Sequence, residues 1–121
     1  MKLHIFNPEH DLALASNLSN FTAPHAGRQL RQDLGWLPAL WAEEDDFILV
    51  DNIKNAQRSY GRLRVRIGSG QRQFVDKFQL NSLDVTEVCP WGWNLALRSF
   101  LLRYGVNAIP SEEYIASVRK L

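Results

Sequence analysis

Apolar positions along this chain switch between a period of two and a period near three and a half. Leu3, Ile5 and Phe6 make a short apolar stretch that breaks at Asn7-Pro8. Glu9-His10-Asp11 follow, and then the apolar run Leu12-Ala13-Leu14-Ala15. A strand that runs through a polar loop into a helix is the place where open α/β sheets bind their ligands. Asn7, Glu9, His10 and Asp11 are therefore candidate site residues.

Further on, Thr22 suits a helix N-cap and Pro24 is tolerated in a first turn. Ala23, Ala26, Leu30 and Leu34 recur at helical spacing, and Gly35 supplies a stop. Trp36-Leu37-Pro38 cannot extend that helix, and Leu37, Leu40 and Trp41 are expected to pack the following loop down. Phe47-Ile48-Leu49-Val50 is an unbroken apolar run, the pattern of a strand buried on both faces and parallel to the first. Strand, helix and strand compose a right-handed βαβ unit.

The middle of the chain is less regular. Ile53, Ala56 and Tyr60 suit a short helix closed by Gly61. Arg62-Leu63-Arg64-Val65-Arg66-Ile67 then alternates, which predicts a strand with arginines on one face and aliphatics on the other. Gly68-Ser69-Gly70 reads as a turn and lacks the context of a phosphate-binding loop. Phe74, Val75 and Phe78 fit a strand or a helix. Asp84 to Cys89 predicts a strand cut off by Pro90. A helix is expected from about Leu95 to Tyr104, with Trp93, Leu97, Phe100, Leu101 and Tyr104 on its apolar face and Gly105 at its end. Pro110-Ser111 caps a last helix, whose Glu112 and Glu113 suit its positive end. The expected fold is α/β, a three-layer domain with a mostly parallel sheet of four or five strands.

Composition narrows the classes. A chain of 121 residues, 45% hydrophobic and 22% charged, suits a single domain with a real core. No apolar run approaches the roughly 18 residues of a membrane span, and the start lacks a signal-peptide pattern. The single Cys89 forms no internal disulfide and no thiolate cage. These features point to a soluble cytoplasmic protein. A net charge of +1 gives no global field for nucleic acid or an anionic membrane. The charge is unevenly placed, however. Glu43-Glu44-Asp45-Asp46 is an acidic run, and residues 54–77 carry seven cations against Asp76 alone. A solvated face accounts for most such stretches, and a partner surface for the rest.

Two clusters carry candidate chemistry. Carboxylates and imidazole at Glu9, His10 and Asp11 are the ligand types of a divalent ion or an acid–base pair, yet their spacing matches no established cage. Ligand contact, subunit contact and plain loop architecture all remain open for them. Trp91-Gly92-Trp93-Asn94 forms a second strand-to-helix turn, where glycine allows close approach of a ligand. Its indoles could equally plug the end of the sheet. Parallel strands would bring the two clusters to one edge. His4, between Leu3 and Ile5, reads as a satisfied core histidine. His25 falls in a helix's first turn, where a cation is disfavoured, so a neutral ring facing the loop is one reading of it. Cys89, with no evident base, reads as a small buried residue.

Phe6-Asn7-Pro8-Glu9-His10-Asp11-Leu12-Ala13-Leu14-Ala15, Phe21-Thr22-Ala23-Pro24 and the stretch from Leu30 to Ala42, together with Cys89 to Asn94, Tyr104 to Val106 and Ile109 to Leu121, resemble the N-terminal, pre-ATP-grasp domain of ATP-grasp-like proteins. The resemblance covers about two thirds of the chain and skips its basic middle. It implies a Rossmann-like unit that supplies part of the acceptor-substrate surface of a carboxylate–amine ligase-like enzyme. In such enzymes ATP and Mg are held by later domains, and an amine or thiol attacks an acyl-phosphate. The implied partners are those later domains and a small-molecule substrate. The chain would then be an N-terminal fragment without a cofactor of its own and inactive alone. Asn7, Glu9, His10, Asp11, Thr22 and Trp91 to Asn94 would contact substrate or an adjoining domain. A stand-alone binding or oligomerisation module, with a homo-oligomer among its forms, is the alternative.

Overall fold

A computed structural model of the chain describes residues 1–7, 32–68, 70 and 72–119, with backbone alone for 117–119. The expected helix beginning near Thr22 falls mostly outside these residues. Its last part is described as helical at 32–34 and ends at Gly35, as its sequence implies.

The four described strands are β1 (Lys2–Ile5), β2 (Phe47–Leu49), β3 (Gln73–Val75) and β4 (Glu87–Pro90). All pair in parallel, in the order β3-β2-β1-β4. Leu3 lies between Phe47 and Val88 in register, and Ile5 between Leu49 and Pro90. Pro90 does not cut the strand off but is its last residue. β4 is the outer strand on its side of the described sheet, where a missing N–H is tolerated.

Alternation along each strand sorts the core into two halves. Leu3, Ile5, Phe47, Val75 and Val88 face one way and meet Leu80, Leu101 and Val106. Ile48, Val50 and Phe74 face the other way and meet Ala39, Ala42, Ala56 and Tyr60. Helix α1 (Ile53–Ile67) covers the second face, and α2 (Leu95–Arg103) covers the first. The arrangement is a three-layer, Rossmann-like α/β domain. Helix α3 (Glu112–Arg119) closes the chain, its first turn capped by Ser111 Oγ accepting from Tyr114 N at 3.1 Å. The Arg98 guanidinium bonds Pro110 O and Glu112 and so joins α2 to it.

Residues 62–67 correct the expectation of a strand. Asn52 caps α1 through Asn55 N, and Gly68, at φ +69°, ends it with its N–H on Arg64 O. The helix runs straight through Gly61. Ile53, Ala56, Tyr60, Leu63 and Ile67 are spaced by threes and fours over the whole length, and that longer pattern outweighs six residues of alternation. Val65 pays no part in an aliphatic face: it is 77% exposed. Phe74 and Val75 lie on β3, whereas Phe78 lies in a 3-10 turn (Lys77–Ser82) opened by an Asp76–Gln79 capping box. Leu40 and Trp41 do not pack down either. Pro38, Ala39 and Ala42 are the buried residues of that loop, and both larger side chains are exposed.

Gly105 ends α2 at φ +88°, and a Cβ there would stand 2.8 Å from Asn81 Cβ. Positive φ and close approach both require glycine.

Candidate functional site

The strand order reverses between β1 and β4. β1, β2 and β3 progress to one side of the sheet, and the chain then returns to place β4 on the other side of β1. In open α/β sheets the crevice beyond the carboxyl ends of two such strands is the ligand position. Here those ends are Phe6-Asn7 and Trp91-Gly92.

The two ends are fastened together across 85 residues of sequence. Asn7 Nδ2 donates to Gly92 O at 2.8 Å, and Gly92 N donates to Asn7 Oδ1 at 3.3 Å. One side-chain amide thus pairs with both polar groups of a glycine backbone, as a neighbouring strand would. Trp91 N donates to Ile5 O at 2.8 Å and extends the ladder up to the turn. Asn94 Oδ1 accepts from Leu97 N at 2.8 Å and starts α2. Its replacement by alanine should cost about 1 kcal/mol, read as a lower denaturation midpoint at constant slope.

The indoles diverge. Trp93 packs against the α2-side core beside Leu97 and Phe100, whereas Trp91 is 63% exposed. Its ring lies 5.4 Å from that of buried Phe6, tilted by 47°. The structure therefore brings together Asn7, Trp91, Gly92, Trp93 and Asn94. Asn7 and Asn94 spend hydrogen bonds on holding the turn, and Trp91 is the side chain presented outward. Glu9, His10, Asp11 and Thr22 lie outside the described residues, as does His25.

Cys89 is half-buried on β4. Burial first, and then the negative charge of Glu87, push its thiol above the usual range. A thiol held protonated is a poor nucleophile.

A second polar pair lies toward the other edge of the sheet. His4 Nε2 is 2.9 Å from Asp46 Oδ2, and both residues are buried. Asp46 also accepts from Lys2 N and Glu43 N, each at 3.1 Å. Burial works against its charge. The His4 bond, the two backbone bonds and the His4 ring charge together outweigh that and hold the carboxyl below its usual value. Since a carboxylate only accepts, Nε2 carries the shared proton, and His4 Nδ1 is left buried with no hydrogen-bond partner among the described residues. A histidine facing inward on a strand needs a partner. Asp46, immediately before the apolar run of β2, was the residue able to supply it.

No helix among the described residues is long and apolar enough to cross a membrane. Comparison of the chain with protein-family models, with curated proteins and with solved structures finds no match.

Proposed function

We propose that this chain is the substrate-facing N-terminal domain of an ATP-dependent carboxylate–amine ligase-like enzyme. The observation that carries this reading is the Asn7–Gly92 fastening at the β1/β4 reversal, which aligns two loop ends at the usual ligand edge of such a sheet. The resemblance of residues 6–15 and 89–94 to pre-ATP-grasp sequences supplies the enzyme class. In this reading Trp91 is an apolar wall for the acceptor substrate. Glu9, His10, Asp11 and Thr22 contribute polar contacts, and Asn7 sets the geometry. ATP and Mg would be bound by later domains, and a cytoplasmic location suits that chemistry.

Two measurements on this chain test the proposal. Titration with millimolar Mg-ATP in a calorimeter should give no specific heat, and a micromolar Kd would overturn the division of labour. Amide shift perturbations by millimolar amino acids and small carboxylates should centre on Asn7, Trp91 and Gly92. Perturbations centred on His4 and Asp46 would place the ligand at the wrong edge.

A further inference from the structure

Helix α1 carries Lys54, Arg58, Arg62, Arg64 and Arg66 and no acidic residue. Four of these cations, Lys54, Arg58, Arg62 and Arg66, stand four residues apart along about 18 Å of helix. All four are exposed, and none has an ion-pair partner among the described residues. Like charges at this spacing oppose the helix. The negative end of the helix accommodates Arg64 and Arg66 in its last turn but offers nothing to Lys54, Arg58 and Arg62. Val65 is exposed among these cations, and Ile67 is exposed at the helix end.

The complementary surface is on the same molecule. Glu43, Glu44 and Asp45 are exposed in the turn before β2, beside exposed Leu40 and Trp41. That turn and α1 cover the same face of the sheet, because Ala39, Ala42, Ala56 and Tyr60 share one core cluster. Arg72 Nε bonds Ala39 O at 3.1 Å, and Tyr60 Oη donates to Gly70 O at 2.7 Å, which ties the turn, α1 and the chain after α1 together. Glu44 Oε1 comes within 3.4 Å of where a Gly70 Cβ would stand. A basic surface with exposed aliphatics and an acidic surface with exposed Leu40 and Trp41 are thus neighbours.

We infer that this face pairs two copies of the chain, with α1 of one copy docked on the Leu40–Asp45 turn of the other. Neighbouring patches of opposite sign are self-complementary under a two-fold rotation, so each copy supplies both halves and the contact closes as a dimer. Guanidinium groups, four of the five cations, suit carboxylate partners through paired hydrogen bonds. The Leu40, Trp41, Val65 and Ile67 side chains supply the apolar contact that a charged rim lacks. The partner is a second copy because the acidic counterpart stands on this chain with matching apolar neighbours.

A charge-swap experiment with the full 121-residue chain tests the pairing. Sedimentation equilibrium at submillimolar protein and about 20 mM salt should show twice the 13.9 kDa chain mass, falling to monomer at about 500 mM salt as screening shortens. The variant Arg58→Glu/Arg62→Glu/Arg66→Glu should be monomeric, and so should Glu43→Lys/Glu44→Lys/Asp45→Lys. All six side chains are exposed, and circular dichroism confirms that each variant is folded. An equimolar mixture of the two variants should restore the doubled mass, because every repulsive contact becomes attractive. A wild-type chain that stays monomeric, a dimer that survives either reversal, or a mixture that stays monomeric would each overturn the inference. Mg-ATP and ligand titrations read the proposed function independently, so failure of one leaves the other standing.

Discussion

Asp46→Ala should lower the stability of this domain by about 3–5 kcal/mol, the scale observed when one member of a buried polar pair is removed. Three donors converge on the carboxylate: His4 Nε2, Lys2 N and Glu43 N. Alanine would leave the buried His4 ring N–H and the part-buried Lys2 and Glu43 N–H groups without that acceptor. Against a typical total of 5–15 kcal/mol this is a large fraction, and a fall in Tm of roughly 12–20 °C is expected. The charge also gives the effect a pH signature. The folded-state pKa of Asp46 is depressed, so its contribution is fully present above the unfolded carboxyl value of about 3.9 and is lost as pH falls through the folded value. Denaturant midpoints measured from pH 7 down to pH 2 should therefore converge for wild type and Asp46→Asn below about pH 4. A constant gap across that range would show that the carboxylate charge contributes nothing.

Asn7→Ala should cost about 2–4 kcal/mol by a different route. The loss is of a paired partner for the Gly92 N–H and C=O, which are half-buried and have no further strand among the described residues to bond. Asn7→Asp isolates the geometry. One carboxylate oxygen can still accept from Gly92 N, but the other then faces Gly92 O, 2.8 Å from the present donor position, and repels it. Protonation would turn that oxygen into a donor. The deficit of Asn7→Asp relative to wild type at the same pH should therefore shrink as pH falls toward the unfolded carboxyl value of about 3.9 and stay constant below it. Thermal melts across pH 7 to 3 read this directly, and a deficit independent of pH would mean that the pairing is not what fastens the two loops. Trp91 should report the same event, since its backbone precedes Gly92 and its ring rests on Phe6.

Much of the architecture followed from local rules. The apolar run Phe47 to Val50, the cap at Ser111 and the stop at Gly105 are short-range signals whose physics is complete within a few residues. The meeting of Asn7 with the Trp91-Gly92 turn was also legible, because parallel strands place their carboxyl ends on one edge whatever the side chains are. Residues 62–67 were misleading because six alternating positions fit a strand, while the three-and-four spacing that wins spans all of α1.

The remainder depended on contacts distant in sequence. Trp93 shares the three-and-four spacing of Leu97, Phe100 and Tyr104 and joins the core beside them, whereas nothing local tells that Trp91 is left exposed. Asp46 looked like one more charge in an acidic run until the register of β1 against β2 brought it to His4. Asn7 had the chemistry of a ligand contact, and only the parallel pairing of β1 with β4 brought its amide onto Gly92. Sequence determined which segments are strands and helices and which groups could bond, because propensity and capping act over a few residues. The tertiary fold decided which groups do bond, because burial makes an unpaired polar group costly and each partner is brought within reach only by packing.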